Sequence, residues 1–478
     1  MRGMSEEGGS QRGWMTSVTQ QFDLIIVGSG SGNSIPDYLA NWKIAIVERG
    51  QYGGTCLNVG CIPSKMFVLP ADKALDARNG AKVNIDTQFN GADFAAIRDR
   101  VFGRIDAISE SGREYRAAGS ANVTLFEGTA AFVGDKELEV AMNDGSDPVR
   151  IAAPKVLLAA GARPVTPSIP GLASIDFHTS DTVMRLPALP DRLGIIGGGF
   201  IAVEMGHVFA ALGSAVTMIN RSSGLLRGFD HDIRSRFTDV FSERVDVRFG
   251  HVPTEVRSNA DREVEVDVAG ETLVFDQLLV ATGREPNSDL LNVARGGLTC
   301  QHNGTIAVND TMATNVPGVW AVGDIANGYQ LKHLANAEAK VAFWNIAHSD
   351  DPGFVPRRQS YKAVPSAVFS NPQVARVGLT EQQAIDQGIP HKVGRRDYSG
   401  TAYGWALVDE TSFAKVIVNT ETGMIIGGHI IGPQAANLIQ PIIQAMELDT
   451  SAAIVAEKVF YIHPALTEVV ENAILDAL

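Results

Sequence analysis

Phe22-Asp23-Leu24-Ile25-Ile26-Val27-Gly28-Ser29-Gly30-Ser31-Gly32-Asn33 sets an apolar strand directly before a glycine-rich turn. The continuous apolar run after Asp23 suits a strand buried on both faces. A short helical segment is expected next, Ser34 to Trp42, then a second strand from Lys43 to Val47, ending at Glu48. Strand, glycine turn, helix, strand and acid make a βαβ nucleotide unit. Its glycines let the backbone approach a pyrophosphate, its helix N-terminus faces the anion, and Glu48 is placed to accept from ribose hydroxyls. The pattern departs from the usual fingerprint at one point. The third glycine position, five after Gly28, is Asn33.

The same pattern recurs further on. Arg192-Leu193-Gly194-Ile195-Ile196 runs into Gly197-Gly198-Gly199-Phe200-Ile201-Ala202, where Gly197, Gly199 and Ala202 fit G-x-G-x-x-A. A helix to about Leu212 and a strand from Ala215 to Ile219 follow. The ribose position at the end of that strand is Asn220, followed by Arg221, with Arg227 six residues on. An acid there would repel a 2′-phosphate and an arginine can hold one bidentately, which favours NADPH over NADH.

Between the two units, Thr124 to Val140 alternates like antiparallel strands. Lys155 to Ala160 is a buried strand leaving through Ala160-Gly161-Ala162-Arg163-Pro164. Leu278 to Thr282 nearly copies it, leaving through Thr282-Gly283-Arg284-Glu285-Pro286. These paired exits suggest crossings between two nucleotide units. From about Tyr361 the chain mixes strands with two late helices and carries no phosphate loop. The fold class expected is α/β: two Rossmann-like nucleotide-binding domains and a C-terminal α+β domain. The first nucleotide domain takes 21–164 and 285–355, the second 165–284, and the last domain 356–478. Residues 1–20, without the apolar core of an export signal, are expected to be a disordered leader, with Met15 an alternative start and the cytoplasm the default compartment.

A chain of 478 residues exceeds one hydrophobic core. Its formal charge of −14, with no basic run, makes it a poor partner for nucleic acid or anionic membrane. Only three cysteines occur, which is no disulfide scaffold. Two of them lie in Gly53-Gly54-Thr55-Cys56-Leu57-Asn58-Val59-Gly60-Cys61-Ile62-Pro63-Ser64-Lys65. Pro63 suits an early helix position, so Cys61 should stand near a helix N-terminus, where the dipole favours a thiolate. A C-x₄-C turn can bring the two sulfurs within bridging distance. The pair can also be read as small buried hydrophobes or as metal ligands, though a metal would need ligands beyond Cys300, which is expected to be structural. Near the end, His463 stands five residues before Glu468. Thiol exchange needs an acid for the departing thiolate, and a carboxylate would fix the imidazole tautomer.

Together these motifs resemble the pyridine nucleotide–disulfide oxidoreductases, the glutathione reductase-like class, over nearly the whole chain and in family order. Thr314 through Gly323 and Asp324 supplies a further motif, between Ala281-Thr282-Gly283-Arg284 and His463…Glu468. The resemblance implies FAD and NADPH as cofactors, with Gly28, Gly30, Gly32, Asn33, Glu48, Gly54, Thr55, Gly161, Gly283, Arg284, Gly323 and Asp324 at or near them. It implies that Lys65 sits by the flavin paired with Glu204, and that Phe200 gates the nicotinamide. Cys61 would be the flavin-side thiolate and Cys56 the exchange nucleophile. His463 and Glu468 would act across a homodimer, in the other subunit's site. Within the class, Gly28 to Asn33, Asn58 through Val68, Val101 to Asp106, Thr179 to Arg185 and Ala402 to Ala406 are similar to the mycothione reductases. Mycothiol lacks free carboxylates, and the segment from Ser34 to Trp42 lacks arginine; Asn33, Asp37, Tyr38 and Asn41 are candidate contacts. Glutathione reductase and dihydrolipoamide dehydrogenase are the alternatives, and a nucleotide-binding flavoprotein without disulfide turnover is the non-enzyme reading.

Overall fold

The computed structural model describes residues 18–478. Most of the expected leader, residues 1–17, lies outside the described residues. Gln20, assigned to that leader, instead begins a strand paired with Ile151–Ala152.

Leu24–Val27 is fully buried at the centre of an eight-stranded sheet. It lies parallel to Ile44–Glu48 on one side and to Lys155–Leu158 on the other. Burial on both faces is what the unbroken apolar run encodes. Val123–Gly134 does two jobs that its alternation did not separate. Its first half runs parallel to Ile44–Glu48 and its second half pairs antiparallel with Glu137–Met142. Val319–Ala321 closes the far edge beside Lys155–Leu158. A second, four-stranded parallel sheet is built by Asp246–Phe249, Ala215–Asn220, Arg192–Ile196 and Gln277–Val280. The two exits expected as crossings pair with each other: Ala162–Pro164 lies antiparallel to Arg284–Pro286. This two-stranded link joins the sheets and holds their carboxyl ends around one space. Among the described residues no helix is long and apolar enough to cross a membrane.

The segment Ser34–Trp42 differs from expectation. It forms no α-helix, only the 3₁₀ turns Ser31–Asn33 and Asp37–Leu39. Pro36 is extended at ψ 153° between them, and the residue before a proline resists helical geometry. The absence of the helix explains Asn33. A third glycine serves close helix–strand packing, and here there is no helix to pack. The second unit keeps its helix, Phe200–Leu212, and keeps the small residue: Ala202 is fully buried.

The C-terminal sheet is antiparallel, in the order Pro365–Val368, Val374–Gly378, Ile425–Ile431, Phe413–Asn419, His391–Asp397. Four helices follow where two were expected: Ala435–Leu438, Gln440–Glu447, Ala452–Lys458 and Thr467–Asp476. Lys415 from this sheet is 1% exposed and reaches Asp230 at 2.9 Å, Asp232 at 2.7 Å and Glu381 at 2.6 Å. Asp230 and Asp232 open the helix His231–Ser242 beside the second nucleotide sheet. Burial alone would lower the Lys415 pKa, but the three carboxylates outweigh it and hold it above the usual lysine range.

Candidate active site

Cys56 lies in the short helix Gly54–Asn58, and Cys61 opens the helix Cys61–Arg78. Gly60 lets the chain fold back between them: a side-chain carbon there would stand 3.0 Å from the Thr55 carbonyl and 3.3 Å from Cys56 Cα. Asn58 pins the approach. Its amide donates to the carbonyls of Gln51, Tyr52 and Gly54 at 3.2, 3.0 and 3.1 Å. Sequence reasoning did not assign that role to Asn58, although a buried Asn in a glycine-rich loop is a signal for it.

Both cysteines are free thiols within hydrogen-bonding reach of each other. The Cys61 thiol donating to Cys56 lowers the Cys56 pKa to about 7, against burial; the Lys332 charge and the N–H groups of Cys61 and Ile62 help. Cys61 moves the other way, raised by its hydrogen bond to Cys56, by burial and by the Cys56 charge. In the dithiol, the N–H groups at the helix start help stabilise the sulfur of Cys56 in the preceding turn. Alkylation of the reduced protein at Cys56 is therefore expected to climb about tenfold per pH unit below 7 and level off above it. A rate still climbing tenfold per unit between pH 8 and 9 would refute the assignment.

The thiols open onto a continuous cavity of about 1730 Å³ that also reaches both glycine turns. Gly28, at φ +104°, and Gly197, at φ +139°, are matched: a side-chain carbon on either would come within 2.3 Å of a carbonyl, that of Ala159 or of Ala281. Gly30 packs against Gly54, where a side-chain carbon would meet Gly30 Cα at 2.7 Å. Gly161, Gly199, Gly283 and Thr55 also face the cavity, whereas Gly32 packs instead on Ile26 and Ala159. Glu48 holds the turn by accepting from the Ser29 N–H at 2.9 Å, Ser29 Oγ at 2.6 Å and the Gly50 N–H at 2.8 Å. A carboxylate has about four acceptor sites, so one remains for a ribose hydroxyl. Asp324, beside Gly323, lines the cavity and receives no hydrogen bond from another described residue; burial raises its pKa, against Arg284 and Lys332. An unsatisfied acceptor there fits the hydroxyls of a dinucleotide. Arg284 itself is turned to Ala162 O at 2.6 Å and toward Asp181.

Three expected contacts are placed otherwise. The Asn33 carboxamide accepts from Tyr52 at 2.5 Å and Arg116 at 2.8 Å, and none of Asn33, Asp37, Tyr38 or Asn41 lines the cavity. Tyr38 packs instead on Trp344 and His348. Asn220 spends its amide on Ser222 O and Gly224 O, both at 3.1 Å. It thereby shapes the loop presenting Arg221 and Arg227, which are exposed and have no ion-pair partner among the described residues. Lys65 and Glu204 do not meet as an ion pair. Lys65 Nζ stands 4.0 Å over the Phe369 ring, and Glu204 accepts from the Phe369 N–H at 2.8 Å. Burial raises the Glu204 pKa to about 7 and lowers that of Lys65; Asp72, bonded to buried His207 at 3.0 Å, opposes the Lys65 shift along with Glu204. Phe200 is 43% exposed at the cavity wall.

His463 Nδ1 stands 2.8 Å from Glu468 Oε1, leaving Nε2 free. The imidazole is 71% exposed, and neither residue lines the thiol cavity. Phe460 and Ile462 just before it are also in solvent. Among the described residues no cluster of three or more His, Cys, Asp or Glu could hold a metal.

Residues 22–339 match the model of the pyridine nucleotide-disulphide oxidoreductases, and 364–474 match that family's dimerisation domain. Mycothione reductase of Mycobacterium tuberculosis is 42% identical over 95% of this chain and 99% of its own length. Dihydrolipoyl dehydrogenase of Chlamydia muridarum is 32% identical over 96% and 97%. The solved structure of the HOCl-induced flavoprotein disulfide reductase RclA from Escherichia coli superposes with a TM-score of 0.82 at 26% identity, covering 95% of this chain and 99% of that one. The glycine turns, the thiol pair and these likenesses agree: the chain belongs to the pyridine nucleotide-disulphide oxidoreductase family, oxidoreductases that use FAD and a nicotinamide dinucleotide.

Proposed function

We propose that this protein is an NADPH-dependent reductase of mycothione, working as a cytoplasmic homodimer through Cys56 and Cys61. The observation that carries the reading is the thiol pair: two sulfurs in hydrogen-bonding reach, one lowered to about pKa 7, on a dinucleotide-sized cavity. On this reading 21–164 with 285–355 bind FAD, 165–284 bind NADPH, and 356–478 form the dimer interface. FAD, when bound, supplies the two-electron relay between the nicotinamide and the thiol pair.

The chain's own residues do the rest. Cys56, as thiolate, attacks one sulfur of the substrate disulfide and expels the other as a thiolate. Cys61 then attacks Cys56 in the mixed disulfide, releasing the second thiol and closing the Cys56–Cys61 bond. His463 protonates the departing thiolate through Nε2, with Glu468 holding Nδ1. That imidazole lies off its own chain's thiol cavity, on an apolar arm that one chain leaves in solvent, so we assign it to the site of a second copy. Arg221 and Arg227 take the 2′-phosphate.

Mycothione is favoured by the 42% identity over 95% of the chain. The experiment is steady-state turnover with NADPH or NADH against mycothione, glutathione disulfide and lipoamide. NADPH with mycothione should lead every other combination by at least about tenfold, and losing both arginines should raise the NADPH KM about ten- to hundredfold while leaving NADH alone. Turnover of glutathione disulfide but not mycothione would overturn the substrate assignment.

A further inference from the structure

The first glycine turn lacks what such turns normally offer an anion. Only three residues of 3₁₀ helix follow it, so no α-helix dipole backs the turn toward a pyrophosphate. Yet the turn has a cation. Lys332 Nζ donates to Ser31 Oγ at 3.1 Å, and Ser31 Oγ donates onward to Asn336 at 2.9 Å. Lys332 is half-buried, lines the thiol cavity and makes no ion pair with any described carboxylate. Arg116, the other cation near the turn, is spent on Asn33 and Ser120 and does not reach the cavity.

The position of Lys332 is itself unusual. It is the first residue of Lys332–His348, a 17-residue helix with no acid in its first turn. A helix N-terminus disfavours a cation there, so local helix energetics do not account for this one. An anion bound across Ser31 would satisfy both the ammonium and the helix start.

We propose that Lys332 is a cofactor-binding residue that holds the pyrophosphate of FAD, taking over the charge that a helix after Gly28-Ser29-Gly30 would have supplied. The proposal rests on the family's use of FAD but not on the choice of disulfide. The geometry also bounds it: Lys332 acts from the helix that follows Asp324, so one short segment holds both the hydroxyl acceptor and the phosphate donor.

The test is FAD binding to the stripped full-length protein, followed by flavin fluorescence at low and high salt. The variants are Lys332→Met, which keeps the stem, and Lys332→Arg, which keeps the charge. The parent should rebind FAD. The Met variant should bind about tenfold or more weakly at low salt, with a smaller deficit at high salt because the missing contact is charge–charge. The Arg variant should come within about threefold of the parent. Thermal midpoints of the stripped proteins separate folding from binding. Unchanged FAD affinity in a folded Met variant would overturn the proposal. Equal losses in Met and Arg would also overturn it, since charge would then not be what matters.

Discussion

Replacing Cys56 with serine is expected to abolish disulfide turnover, by on the order of 10⁴-fold or more, while FAD content and thermal midpoint stay at the parental level. The reasoning is local. Cys56 is the sulfur toward which the N–H groups of Cys61 and Ile62 and the charge of Lys332 converge. A serine hydroxyl there stays protonated near neutral pH and cannot form the mixed disulfide. Cys61 alone has no neighbouring sulfur with which to close the disulfide that releases product. A Cys56→Ser protein keeping more than about a hundredth of parental turnover would show that the exchange nucleophile lies elsewhere.

Replacing His463 with glutamine should lower turnover by about 10²- to 10⁴-fold, the usual worth of a positioned acid. The more decisive result comes from mixing the two lesions. If His463 serves the neighbouring subunit, a dimer of one Cys56→Ser chain and one His463→Gln chain holds one intact site and one doubly damaged site. Random pairing then restores about a quarter of parental activity from two nearly dead proteins. If His463 served its own chain, every site in the mixture would carry one lesion, and the activity would stay near zero.

Much of this was legible before any coordinates. An unbroken apolar run before a glycine turn announces a parallel strand, and both runs became interior strands with parallel neighbours on both sides. The thiol pair was legible because few structures need two cysteines with four residues between them beside such a turn. What was misread has physical causes. A Rossmann helix was expected after Gly32 because the pattern usually has one, yet Pro36 and Asn33 both argued against it. The helix start was credited to Cys61 alone, yet its N–H groups also reach Cys56 in the turn before it. The Lys65–Glu204 pair failed because Phe369, from a segment some 165 residues past Glu204, supplies the N–H that Glu204 accepts. Lys332 escaped notice because its partner in the turn is 301 residues away. Contacts set by tertiary closure leave no local mark.

Lys415 bears on how the enzyme moves. Its three carboxylate partners belong to two different sheets' surroundings, and two of them begin the helix beside the second parallel sheet. Swinging that region away from the C-terminal sheet would part Lys415 from Asp230 and Asp232 and leave it Glu381 alone. The C-terminal sheet and the second parallel sheet are thus tied by buried charge, and parting them breaks two ion pairs at once.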